Sequence, residues 1–199
     1  KLNLSGYKKL ADVSVIDDRE VLQTLNLKNC TNLETVSVSG DRLSKLKLKG
    51  AKNLEKLKVS GRALKSLDLK TNTQLKELRL GWGTNTSSLD LSKNKKLTFL
   101  WCYRTELVSL DLSKNTNLTK VDCHSNPKLE KLNVKGCRKL KSLHVNNTKL
   151  KKLNVKNNVN LRKLRCKNTD LTKLNLSNTK IRKPSALQCD PDVTVTYAK

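Results

Sequence analysis

A chain of 199 residues with 42 Lys and Arg against 17 Asp and Glu carries a formal charge of +25, which excludes basic partners and attracts polyanions of any chemistry. Aromatic residues make up 3% of it and methionine is absent, so a core of the size this length permits must be built from Leu and Val. No apolar run approaches the roughly 20 residues that span a bilayer, and the chain opens on Lys1 without a charged-then-apolar leader, the expectation being a mature or trimmed ectodomain.

From residue 2 onward, apolar side chains recur in pairs two positions apart. In chain order these are Leu2/Leu4, Val13/Val15, Leu25/Leu27, Val36/Val38, Leu46/Leu48, Leu57/Val59, Leu67/Leu69, Leu78/Leu80 and Leu89/Leu91. The series continues through Leu100/Cys102, Leu110/Leu112, Val121/Cys123, Leu132/Val134, Leu143/Val145, Leu153/Val155, Leu164/Cys166, Leu174/Leu176 and Leu187/Cys189. Steps of mostly 10 or 11 residues make two half-turns per coil of 21 to 23 residues, and about nine coils in all. A Leu three residues before most pairs completes LxxLxL, the leucine-rich repeat. One such coil cannot bury its own apolar edge, whereas stacked coils form a continuous aliphatic column.

The expected fold is an α/β-type solenoid, mostly β and irregular: a right-handed leucine-rich-repeat coil with a curved parallel sheet and few or no regular helices. Residues 1–183 are expected to form the solenoid, with an N-terminal cap missing ahead of Lys1. In 184–199, Pro184, Pro191 and the alternating VTVTY of Val193 to Tyr197 break the repeat, as a C-terminal capping segment of the same domain would.

The segment LTFLWCYRTELVSLDLSKNTNLTKVDCHSN, Leu97 to Asn126, resembles the 21-residue bacterial repeat LTxLxCxxNxLTxLDxSxN of cysteine-ladder internalins and related bacterial surface proteins. The cysteine position of that repeat is filled at Cys102, Cys123, Cys166 and Cys189, with Leu80 and Val145 in its place elsewhere. The resemblance implies secretion, surface attachment and adhesive binding, and it names no ligand.

The two half-turns differ. In the half containing Leu100/Cys102 the opening and closing leucines stand ten apart, as in Leu97 to Leu107 and Leu161 to Leu171, the spacing of a concave strand. The half containing Leu110/Leu112 has the better asparagine ladder, at Asn72, Asn94, Asn115 and Asn158, with Cys30 and Cys137 at the same place. These clues oppose one another; the resemblance and the outward residues favour the first half as the concave sheet. Its outward positions read Thr35, Ser37, Ser39; Lys56, Lys58, Ser60; Glu77, Arg79 and then Trp82; Phe99, Trp101, Tyr103; Lys120, Asp122, His124; Ser142, His144, Asn146; Lys163, Arg165, Lys167. Every Trp, Phe and His of the chain is in that series, while second-half stretches such as SLDLSKN and KLNVKGC hold no ring.

Because Leu100 and Cys102 take the inward places between them, Phe99, Trp101 and Tyr103 are expected to face outward as a patch. The expected ligand-binding residues are Trp82, Phe99, Trp101, Tyr103, His124, His144, Arg79, Arg104, Lys120 and Asp122. Such rings stack on sugar faces, peptide side chains or bases, with cations beside them for an anionic group. Arg162, Lys163, Arg165 and Lys167 are expected to form an electrostatic subsite.

Cys30 and Cys137 stand five coils apart, on the order of 24 Å, beyond the ~7 Å limit for a disulfide. The ladder neighbours Cys102 and Cys123, and Cys166 and Cys189, point alike, so all six are expected as buried thiols. No CxxC or HxxxH pair marks zinc, and no nucleophile elbow, phosphate loop or carboxylate pair marks catalysis. No cofactor, metal or enzymatic activity is therefore expected. Asp122, His124 and His144 approach one another on adjacent coils, where a weak metal site or an acid–base pair is conceivable, and are read as polar members of the binding face. The expected function is a non-catalytic adhesion module, secreted or at the cell surface, monomeric, recognising a host or neighbouring-cell protein or glycan. The alternative is a polyanion-binding module, for acidic glycan, wall polymer or nucleic acid, driven by the Lys and Arg rows, although lysines spread over both halves serve equally as a solvated coat.

Overall fold

The computed structural model describes residues 1–81, 83–182 and 184–197. The first half-turn of each coil runs as a short strand, in chain order Asp12–Ile16, Thr35–Ser39, Lys56–Ser60, Glu77–Gly81, Phe99–Cys102, Lys120–Asp122, Ser142–His144, Lys163–Cys166 and Leu187–Cys189. These nine strands join in that same order into one parallel sheet, so the chain is a β-solenoid of about nine coils. The only helical element among the described residues is the single 3-10 turn Pro184–Ala186. Register is flush from coil to coil: Leu100 stands opposite Leu78 on one side and Val121 on the other, and Val121 opposite Leu143. Alternation then sends Leu100 and Cys102 inward, both fully buried, and leaves Phe99 and Trp101 half-buried on the outer face.

The second half-turn pairs only in pieces. Leu2–Asn3, Thr24–Asn26 and Lys45–Lys47 form three strands, Ser109–Asp111 pairs with Lys131–Asn133, and Lys173–Asn175 with Thr194–Thr196. A local reason is visible in the LDLS and LNVK stretches. The Asp or Asn between the two inward side chains accepts a hydrogen bond from the backbone N–H two residues on, at 3.1 Å for Asp68, 3.0 Å for Asp90, 2.8 Å for Asp111, 3.1 Å for Asn133 and 2.9 Å for Asn175. This Asx turn bends the chain as soon as the inward pair is placed, and it competes with a longer strand.

One apolar cluster runs from Val13 to Val193 without a break. Beside it lies a column of buried asparagines that stitch coil to coil. Asn115 Nδ2 donates to the carbonyls of Leu91 (2.9 Å) and Asn94 (3.0 Å), and Asn158 Nδ2 to those of Val134 and Cys137, both at 2.9 Å. Each of these carbonyls also accepts a backbone N–H from its own turn, so the asparagine amides add a second, coil-to-coil bond where the broken second-half sheet supplies none. Cys137, one rung along, donates from Sγ to the Leu112 carbonyl at 3.3 Å. Burial raises the Cys137 and Cys166 thiols to about 12, and the Cys102 hydrogen bond with burial raises Cys123 well above the ordinary thiol range.

Two outcomes follow from this interior. Asn115→Ala should cost about 2 kcal/mol, because two buried hydrogen bonds between coils are lost at once, whereas Asn115→Cys should recover part of it by reproducing the Cys137 rung; urea unfolding measures both. At pH 8 a thiol reagent should modify the half-buried Cys189 first and the other five far more slowly, and six per chain once unreduced protein is denatured. Fewer than six in denaturant would mean that some sulfurs are already paired.

Candidate binding face on the long sheet

The outer face of the long sheet carries rows of side chains that are opposed in register. One row runs Lys58, Arg79, Trp101, Asp122, His144, Arg165. The flat sheet and its ~4.8 Å strand spacing hold neighbouring rings at stacking distance without any local adjustment. Trp101 stacks on Tyr103 with centroids 5.5 Å apart, Tyr103 meets His124 at 4.6 Å, and His124 lies parallel to His144 at 4.4 Å and 7°. A run of four rings thus crosses three strands. Phe99 stands at its edge between two cations, with the Arg79 guanidinium 4.6 Å and Lys120 Nζ 5.3 Å from its centroid; Arg79 is in turn paired with Glu77. Arg104 lies 5.2 Å from the Tyr103 centroid.

All five of these rings are half-buried rather than fully exposed, because each covers part of the next. Gly81 contributes a feature that the alternation alone does not reveal. A Cβ there would lie 2.5 Å from Trp101 Cζ3, so the absence of a side chain provides the floor on which the indole rests. Five successive coils, those of Glu77–Gly81 to Lys163–Cys166, leave the sheet through a residue of left-handed backbone, Gly83, Arg104, Ser125, Asn147 and Asn168 in turn. Gly and Asn accept that conformation readily, whereas Arg104 at φ 49° is strained there. The strained arginine is the one that reaches over the ring run.

Asp122 holds the two histidines. Its carboxylate lies 2.6 Å from His124 Nδ1 and 3.2 Å from His144 Nδ1, and it also accepts the His124 backbone N–H at 3.3 Å. Burial pushes the Asp122 carboxyl up, but hydrogen bonds from His144 and His124 outweigh burial and hold it below the usual carboxylate range. The carboxylate is therefore ionised throughout the neutral range and fixes which way both rings turn.

The remaining expected residues fall in two groups. Lys163 and Lys167 are exposed and Arg165 half-buried at the far end of the face, with Arg165 directly opposite His144 and its Nε buried without a hydrogen-bond partner. Arg162 is exposed just ahead of that strand, outside the rows. Trp82 lies outside the described residues. The positions that sequence spacing passed over are Gly81 and the left-handed turn series; a small residue in line with a large outward ring was the available signal for the first.

No protein-family model matches the chain, and no curated protein matches it by sequence. Among solved structures, it is similar to the functional domain of InlJ from Listeria monocytogenes, described as including a cysteine ladder, with a TM-score of 0.56 and 25% identity over 94% of this chain. The solenoid is internalin-like. It spans 47% of that InlJ chain, about half its length. An internalin, InlF, from Listeria monocytogenes (TM-score 0.41, 17% identity, 86% of this chain and 68% of that one) and the leucine-rich-repeat protein LIC12759 from Leptospira interrogans (0.38, 16%, 100% and 78%) are looser matches. No helix among the described residues is long and apolar enough to cross a membrane.

In this internalin-like solenoid the Gly81 floor can be checked directly. With Trp82→Phe making Trp101 the sole tryptophan, Gly81→Ala should displace the indole, shift its emission to the red and cost about 1 kcal/mol of stability. Unchanged emission would mean that the indole does not rest on Gly81.

Proposed function

We propose that the long-sheet face is a non-catalytic recognition surface for a protein or glycan, in an adhesion module of a secreted or cell-surface bacterial protein. The observation that carries this reading is the run of four stacked rings, Trp101, Tyr103, His124 and His144, held partly in water on a rigid parallel sheet. A chain with 3% aromatic residues concentrates rings where none is needed for the core, and such clusters anchor binding partners. The face is shallow. On the N-terminal side of the rings, Ser37, Ser39 and Ser60 line an open trough, which suits an extended partner lying along the sheet better than an enclosed small molecule. Similarity to InlJ adds support for the fold on which such a face is presented.

The polyanion reading keeps one specific observation in its favour, the Lys163, Arg165 and Lys167 group with the unpartnered Arg165 Nε. Several lysines work otherwise. Lys76 reaches Glu55 on the previous coil at 2.7 Å, Lys128 reaches Glu106 at 2.6 Å, and Lys139 and Lys180 donate to Asn117 and Asn160 at 2.8 Å. These contacts bridge coils in water and add little energy each, but they give the lysines a structural role that requires no ligand.

Glycan and protein arrays would supply the ligand. Trp101→Ala should then weaken its binding by roughly 2 kcal/mol or more while leaving far-UV circular dichroism and unfolding nearly unchanged, and binding should persist from 50 to 500 mM salt. Affinity that instead falls steeply with salt and survives loss of the ring would transfer the function to the cationic rows.

A further inference from the structure

Asp122, His124 and His144 each offer one donor atom, and these atoms lie within 4.8 Å of one another. Strand geometry produces the cluster. Asp122 ends one strand and His124 lies two residues beyond it, its ring turned back to the Asp122 carboxylate, while His144 stands directly opposite Asp122 on the next strand. The backbone bond from Cys123 N to the His144 carbonyl, at 2.8 Å, locks the strands beside the cluster. Both Nδ1 atoms face the same carboxylate, at 2.6 and 3.2 Å, and the only ion-pair partners of Asp122 among the described residues are these two histidines.

We propose that Asp122, His124 and His144 form a binding site for a divalent transition-metal ion. Two imidazoles and a carboxylate suit zinc, cobalt, nickel or copper rather than calcium or magnesium, which prefer all-oxygen shells. Metal–ligand bonds of about 2.0–2.1 Å place tetrahedral ligand atoms roughly 3.3 Å apart, so the carboxylate must draw back from His124 Nδ1, now at 2.6 Å, and already stands at a suitable 3.2 Å from His144 Nδ1. The two rings, parallel at 4.4 Å, must turn out of their stack for their lone pairs to converge. His124 and His144 keep 25% and 17% of their side-chain surface exposed, so an ion held by three protein ligands retains a solvent-facing position, open to a carboxylate or hydroxyl oxygen of a bound molecule. Arg165 opposite His144 and Lys120 on the Asp122 strand work against a cation here. Metal binding here does not require that the ring run bind a partner, although His124 and His144 belong to both. It revises the expectation of no metal drawn from the absence of CxxC and HxxxH spacing: the ligand set is assembled across coils.

The test is titration of the full, reduced chain with zinc chloride by calorimetry and with cobalt chloride by visible absorption. One ion per chain is expected, with cobalt d–d bands and no thiolate charge-transfer band. His124→Gln, His144→Gln and Asp122→Asn should each weaken binding roughly tenfold or more, while Cys189→Ser leaves it unchanged. Arg165→Gln, which removes a repelling charge and no ligand, should tighten binding severalfold and decides the matter if a ligand variant fails to fold. No saturable binding up to millimolar metal, binding indifferent to the histidine variants, a thiolate band abolished by Cys189→Ser, or an Arg165→Gln variant that binds no more tightly would each overturn the proposal.

Discussion

A coil of this repeat has an apolar edge that it cannot hide by itself, and burying that edge against the next coil is the constraint on which everything else rests. Inward Leu, Val and Cys stack into one column from Val13 to Val193, and flush parallel register is the only arrangement that keeps each inward pair over its neighbour. A slip of one residue would turn the column to solvent and the rings, lysines and carboxylates to the core. The same register therefore holds the interior and the face together.

The price of that stacking is backbone that lacks a full ladder on the second half-turn. Asx turns end each inward pair early, and carbonyls already bonded within their own turns take a second, coil-to-coil bond from the buried Asn72, Asn94, Asn115 and Asn158 amides. Where asparagine gives way to cysteine at Cys137, a weaker Sγ donor takes the rung. The cysteines so serve two columns: Cys30 and Cys137 in the polar rungs, and Cys102, Cys123, Cys166 and Cys189 in the inward line of the sheet. Burial raises the Cys137 and Cys166 thiols, and the hydrogen bond with Cys102, followed by burial, raises Cys123.

A rigid column also leaves the outward positions of the sheet out of the core, which is why chemistry can collect there. Rings that no core requires stack from strand to strand, a glycine gives one of them a floor, and a carboxylate orients two histidines. Arg104 accepts a strained backbone at the rim of that group, where most other coils use Gly, Ser or Asn. The high positive charge divides in the same way: lysines tied to acidic or amide partners of the preceding coil serve the stack, whereas the Lys163 to Lys167 group faces outward beside the rings.

The fold was legible in the residues because the period of two within a strand and the period of about 21 between coils are both written in the positions of Leu, Val and Cys, and burial follows those periods directly. The same alternation correctly turned Phe99 and Trp101 away from the core. Other features depend on what neighbouring coils place alongside, and no local pattern carries that information. Stacking between rings 20 and 21 residues apart, the Trp101 seat on Gly81, and the half-buried state of rings expected to be open all arise from cross-strand neighbours. Which half-turn forms the continuous sheet was contested by two sequence clues and resolved by the Asx turns, whose hydrogen bonds cut short the strands of the other half. The Asp122, His124 and His144 cluster shows the division most plainly: two of its members stand two residues apart at a spacing visible in the sequence, but the third is brought opposite only by the register of the next coil, set by burial of leucines that never touch it.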